Sequence, residues 1–218
     1  MNVILTGATG MVGEGVLNEC LRNPSVNNVL VIGRKECGVS DGKLTEIIHR
    51  DFFDLSPVAD RLRGYDACFF CLGKSSVGMK ESDYYKVTYT LTMNFARVLA
   101  ERNPGMTFCY ISGAGTDSSE KGKLMWARVK GKTENDLSEL PFRKVYNFRP
   151  GLLQAEKGAK NTPALYNIFS WVFPLLRRIF PEFVSTLGEL GRAMINAADK
   201  GCEKNILEVK DILALSKR

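Results

Sequence analysis

The chain has one histidine, His49, no second Cys-x-x-Cys pair to match Cys68 and Cys71, and no strongly basic run. Without further histidines or a second cysteine pair, Cys68-x-x-Cys71 is not half of a zinc site, and no metal is expected. The pair falls in an apolar run that reads as a strand, so the two thiols point to opposite faces of a sheet. The densest basic spots are Arg177-Arg178 and Lys217-Arg218. A formal charge of +6 therefore suits an anionic cofactor and not nucleic acid. The longest apolar stretch, Ile168–Leu176, is interrupted by Pro174 and too short for a bilayer, so no transmembrane segment is expected. A basic start followed by an apolar run is absent from residues 1–20. With six cysteines and no sign of export, the expectation is free thiols and a cytoplasmic location. No internal repeat or low-complexity linker divides the 218 residues, so one α/β domain over 1–218 is expected, with 155–190 as a substrate-side lid segment.

What the chain does have begins at its first residues. An apolar run, Val3-Ile4-Leu5, leads at once into Gly7, Gly10 and Gly13, and an apolar-periodic stretch follows. Strand, glycine turn and helix in that order form a dinucleotide pyrophosphate site. Gly7 allows the tight turn, Gly10 the approach of phosphates and Gly13 close packing of the helix on the strand. The helix N-terminus offers free N–H groups to the phosphates. The alternative is a plain strand-to-helix turn in another α/β fold.

Further along, Asn28–Ile32 is a continuous apolar run, as for a parallel strand buried on both faces. NAD-preferring enzymes place an acid at the end of this second strand, whereas this chain has Arg34 and Lys35. A guanidinium there matches a 2′-phosphate, so NADP(H) is predicted in preference to NAD(H). A solvated basic loop is the bland alternative. Lys43–Arg50 reads as a third strand, after which Asp51 and Phe52 are candidates for the adenine. Asp54 reads better as a cap for a short helix ending at Leu62. Strands are also predicted over 66–72, 107–111 and 142–148. Helices are expected over 81–102, 124–140 and 187–198, with a short strand over 206–209 and a closing helical turn over 211–215.

Taken together, TGATGMVG at the N-terminus, CLG after the fourth strand, ISGAG after the fifth, ARVKGKTE and FRPGLL resemble an atypical short-chain dehydrogenase/reductase. The resemblance is nearest to the Tat-interacting oxidoreductase-like branch and runs from residue 1 to about residue 155. It implies a doubly wound Rossmann sheet of order 3-2-1-4-5-6, often with a seventh strand. It also implies an NAD(P) cofactor held by residues matching Gly7, Thr9, Gly10, Met11, Val12 and Gly13. Arg34 matches the basic residue that selects NADP, Cys71, Leu72 and Gly73 flank the central riboses, and Pro150 and Gly151 lie beside the nicotinamide amide. Members occur as monomers or homodimers.

The resemblance further implies a Ser–Tyr–Lys catalytic group, with Ser112 as the serine and Lys130 as the lysine. Lysine lowers the tyrosine pKa and holds the nicotinamide ribose, while tyrosine moves a proton to or from the substrate oxygen. At the tyrosine position this chain has Trp126. An indole N–H donates a hydrogen bond but is neither acid nor base at working pH. Two readings follow. In one the chain is an NADP(H)-dependent oxidoreductase of altered mechanism, acting on a small carbonyl or hydroxyl compound. In the other it is a catalytically weak redox-sensing or protein-interaction module. A third, binding at a membrane surface through the aromatic segment 163–183, fits that segment's prolines less well than a lid does.

Overall fold

The computed structural model describes residues 1–155, 161 and 173–218. Tyr166, Phe169 and Trp171, and part of the expected lid segment 155–190, lie outside the described residues.

The first unit runs from strand β1 (Asn2–Thr6) through the glycine turn into helix α1 (Met11–Arg22) and back to strand β2 (Asn28–Gly33). Strands β3 (Leu44–Ile48), β4 (Ala67–Phe70), β5 (Thr107–Ile111), β6 (Lys144–Arg149) and β9 (Ile206–Glu208) complete one sheet of order β3-β2-β1-β4-β5-β6-β9. Every neighbouring pair in it is parallel. The expected order holds, and β9 is the seventh strand. Strand β3 is shorter than the predicted 43–50. It sits at the sheet edge, where only one flank is paired, and of its five residues only Ile47 is buried.

The apolar runs of the inner strands divide their side chains between two cores. Val3, Leu5, Ala67, Phe69 and Phe148 face α1 on one side, together with helices α6 (Leu187–Lys200) and α7 (Val209–Leu215). Ile4, Cys68, Phe70, Phe108 and Tyr110 face the other side, under helices α3 (Leu91–Arg102) and α4 (Met125–Ser138). Cys68 thus belongs to one core while Cys71 packs against the opposite one, as strand geometry requires. All six cysteines are free thiols. Burial pushes Cys68 and Cys109 well above the ordinary thiol range, so they are neutral packing groups.

Three features depart from the sequence reading. The predicted helix 81–102 is a short helix α2 (Glu81–Tyr85), a π turn over Lys86–Thr90 and then α3. Val87, Thr88 and Thr90 are β-branched and crowd an α-helical turn; the wider turn falls at these residues. The helix expected to end at Leu62 is a single 3₁₀ turn, Ala59–Leu62, with Asp54 accepting from the Ser56 N–H at 3.0 Å ahead of it. A second, two-stranded parallel sheet joins β7 (Leu152–Gln154) to β8 (Val184–Thr186), before and after helix α5 (Phe173–Ile179). Strands of three residues carry too little periodicity to be read in advance.

Close backbone approach fixes α1. A β carbon on Gly13 would lie 2.1 Å from the Gly7 carbonyl oxygen, and one on Gly7, whose φ is +75°, would lie 2.7 Å from the Cys71 backbone. On its far side α1 meets α6 just as closely, since a β carbon on Gly15 would fall 2.5 Å from Leu187 Cβ. A β carbon on Gly13 meets rigid backbone that cannot step aside, so Gly13→Ala is expected to cost about 3 kcal/mol. For a chain of this length that lowers Tm by roughly 6–12 °C, as differential scanning calorimetry will measure.

Candidate functional site

The carboxyl ends of β1, β2, β4 and β5 open onto two adjoining cavities. The larger, about 550 Å³, lies between the glycine turn, the end of β2 and the β4 exit. The smaller, about 270 Å³, lies between the start of α1, the β4 exit, β5 and α4. They share Gly10, Cys71, Leu72 and Gly73, so together they form one trough across the point where strand order reverses.

The glycine turn forms the middle of this trough. The Gly10 N–H donates to Gly7 O at 2.9 Å, closing the turn. A β carbon on Gly10 would have its nearest neighbour 3.4 Å away, so Gly10 leaves open space where Gly7 and Gly13 do not. Gly10 is the N-cap of α1 and brings no side chain to the first-turn N–H groups. These features fit a diphosphate: a bare helix N-terminus, a cradle without side chains and room beside it.

At the outer end of the larger cavity stand Arg34, Lys35 and Arg50. The nearby carboxylate of Glu46 accepts from the Cys37 N–H at 3.1 Å and from its thiol at 2.8 Å. Phe52 forms the apolar wall and stacks on Phe95 with ring centroids 5.8 Å apart. Asp51 does not line the cavity; its carboxylate accepts from the Phe53 N–H at 2.9 Å. The one histidine, His49, has its Nε2 2.6 Å from Asp51 O and 2.7 Å from Asp54 O, which binds it to this loop.

The smaller cavity is lined by Met11, Val12, Ser112 and Lys130, and also by Tyr84, Thr88 and Tyr110. Ser112 Oγ lies 2.9 Å from Thr116 Oγ1. Thr116 gives its own proton to Gly113 O at 2.8 Å, so Ser112 donates within this pair. Lys130 Nζ donates to Ile111 O at 3.1 Å and stands 5.1 Å from the centre of the Tyr110 ring. Burial lowers its pKa to about 8, against the upward pull of Glu134. Glu134 is in turn bound by Arg149 of β6, whose Nε donates to it at 3.0 Å.

Five of the expected residues line neither cavity: Gly13, Asp51, Trp126, Pro150 and Gly151. Trp126 lies with its ring against the Gly113–Gly115 loop, 3.6 Å from where a β carbon on Gly115 would stand. The Pro150 carbonyl accepts from the Ala114 N–H at 3.0 Å, and Gly151 packs against the Phe183 backbone. Arg50 and Tyr84 escaped the sequence reading. Arg50 sits beyond the last residue of β3, the position class that supplied Arg34, and Tyr84 is carried in from a helix whose π turn no pattern announced.

Among the described residues no group of three or more His, Cys, Asp or Glu side chains could hold a metal ion. No helix among them is long and apolar enough to cross a membrane.

Comparison with known proteins agrees with this geometry. The curated relative Protein FMP52, mitochondrial, of Eremothecium gossypii is 29% identical over 230 residues, covering 100% of this chain and 98% of its own length. Protein HTATIP2 of Rattus norvegicus is 27% identical over 158 residues, covering 72% of this chain and 64% of its own length. Among solved structures, UDP-glucose 4-epimerase of Thermotoga maritima with UDP-glucose superposes with a TM-score of 0.67 at 15% identity, covering 100% of this chain and 82% of that one. Bordetella bronchiseptica WbmF in complex with NAD+ gives 0.66 at 14% identity, covering 99% of this chain and 76% of that one. At such identities these structures speak for the fold alone. The expected cytoplasmic location is corrected by the relatives from Eremothecium gossypii, Aspergillus oryzae and Aspergillus clavatus, which are named mitochondrial. Residues 3–124, more than half of the chain, match the NAD dependent epimerase/dehydratase family, and the chain belongs to this NAD(P)-dependent, oxidoreductase-like family.

Proposed function

We propose that the chain binds NADP(H) in the trough and uses it to interconvert a small carbonyl compound and its alcohol. The observation that carries the cofactor choice is the set of Arg34, Lys35 and Arg50 around the outer end of the larger cavity. A ribose carrying two hydroxyls asks for a carboxylate at the end of β2, whereas a 2′-phosphate asks for cations, and a guanidinium binds it through paired N–H donors. Gly10 and the start of α1, with Thr9 and Gly73 beside them, would hold the diphosphate. Lys130 would hold the nicotinamide ribose, and the Ser112 hydroxyl would turn its proton from Thr116 to the substrate oxygen. The whole chain serves as one domain, with 155–190 as its substrate side.

The second reading, a binding module without turnover, draws on Trp126, which fills the usual tyrosine position with a group that cannot transfer a proton. Turnover separates the two. NADPH oxidation with a panel of aliphatic and aromatic aldehydes and ketones is expected for the wild type, with a loss of at least about tenfold in Ser112→Ala. Absence of turnover across the panel favours the module.

The cations generate a second prediction. Arg34→Ala and Arg50→Ala are each expected to weaken NADPH binding by about tenfold, the loss of one charge-assisted hydrogen bond, and to leave NADH binding within about twofold. Fluorescence titration measures both, and equal losses for the two cofactors would refute the assignment.

Lys130 generates a third. With a pKa of about 8 it is an ammonium below that pH and a neutral amine above it. NADPH affinity is therefore expected to fall as pH rises through about 8, and Lys130→Met is expected to flatten that dependence. Titrations from neutral to alkaline pH read it.

A further inference from the structure

The missing proton donor has a replacement within the same cavity. We propose that Tyr84 is the acid–base residue of this site, taking the role that Trp126 cannot fill; the proposal rests on the oxidoreductase reading above. Four tyrosines lie near enough to consider, and their surroundings separate them. Tyr89 donates its hydroxyl to Asp136 at 2.5 Å. Tyr85 packs at a tilt on Tyr89, ring centroids 4.6 Å apart, and does not line the cavity. Tyr110 lines it, but its ring belongs to the apolar core, 6.3 Å from Phe70, and complete burial pushes its hydroxyl far above the ordinary phenol range. Tyr84 is 2% exposed, belongs to neither apolar core cluster and lines the cavity together with Thr88, Ser112 and Lys130.

The surrounding elements hold Tyr84 in place. Glu81, one turn before it, accepts from Arg128 Nη2 at 2.9 and 2.8 Å. Arg128 also donates to Gly122 O at 2.7 Å, which fixes the start of α4. One turn after it, Tyr89 is bound to Asp136 near the end of α4. The segment carrying Tyr84 is thus pinned to the helix carrying Lys130 at both ends, and Tyr84 and Thr88 fall between the two pins. The π turn over Lys86–Thr90 inserts one residue immediately after Tyr84. Such turns recur at functional sites because they redirect the side chains on either side. Burial holds the pKa of the Tyr84 hydroxyl above the ordinary phenol range, so it carries its proton at working pH.

The step balances as follows. The carbonyl carbon of the substrate takes hydride from the reduced nicotinamide, the C=O π pair moves to oxygen, and that oxygen takes the Tyr84 phenolic proton. A C–H bond and an O–H bond form, and the nicotinamide is left oxidised. Water returns a proton to the phenolate. Ser112 steadies the same oxygen, and the Lys130 ammonium offsets the phenolate charge.

Two measurements test this. Tyr84→Phe keeps the ring and its packing, so NADPH binding is expected to stay within about twofold, while kcat falls by roughly 100-fold or more, the share of a general acid. Independently of turnover, binding of NADP+ places the positive nicotinamide near the phenol. Ultraviolet titration of tyrosine ionisation is expected to show one phenol lowered by about one pH unit on adding NADP+ to the wild type, and no such shift in Tyr84→Phe. Turnover retained in Tyr84→Phe, or a phenol shift that persists in that variant, overturns the assignment of Tyr84. A wild type that binds NADPH and turns over no carbonyl compound overturns the oxidoreductase reading and this one with it.

Discussion

The approach of Gly13 to the Gly7 carbonyl, with Gly7 itself against the Cys71–Leu72 backbone, is the constraint on which the rest of the structure depends. No side chain fits at either contact. Because α1 therefore lies directly on the turn, its N-terminus faces the trough with nothing between. Because Gly7 lies directly on the β4 exit, Cys71, Leu72 and Gly73 form the floor shared by both cavities. The same economy repeats on the far side of α1, where Gly15 and Gly191 let α6 approach as closely. The first helix is thereby held from two directions, and Gly10 is left with open space beside it.

Charge is organised around this frame in two separate ways. At the outer end of the trough the cations are exposed and free to meet an anion, while Glu46 turns to Cys37. At the inner end the charges are buried and paired. Arg149 and Glu134 join β6 to α4 with both groups largely excluded from water. Such a pair is strongly destabilised by loss of either member, roughly 3–5 kcal/mol. Its consequence for the site is indirect. Glu134 supports the positive form of Lys130 one turn away, against the burial that disfavours it. Lys130 is thus poised nearer neutrality than a surface lysine.

The strands were legible because each inner strand is buried on both faces and so reads as an unbroken apolar run. Asn28–Gly33 and Thr107–Ile111 match the expectation almost residue for residue. Edge strand β3 was overextended, since Lys43 and Arg50 flank an alternating pattern without ending it. Strands β7 and β8 were missed because three residues hold no period. In the site, the glycines, Arg34, Ser112 and Lys130 could be read from ordered motifs, each of which is local. Arg50 could not, because its role depends on the parallel pairing of β3 with β2. Tyr84 could not, because a π turn and two pins to α4, from Glu81 and Tyr89, decide where its hydroxyl goes.

The order of the strands followed only from the family resemblance, while the sequence by itself determined the class of fold, the place of the glycine turn and the absence of a tyrosine at position 126. These are properties of neighbouring residues: period, spacing and the steric demands of a turn act over a few positions and leave their trace there. The tertiary structure alone decided which side chains share the inner cavity. Ser112, Lys130, Tyr84 and Thr88 come from a strand end, two helices and a π turn, spread over positions 84 to 130. What joins them is sheet register, helix packing and two contacts between α4 and the segment carrying Tyr84, and none of these is written in any one stretch of the chain.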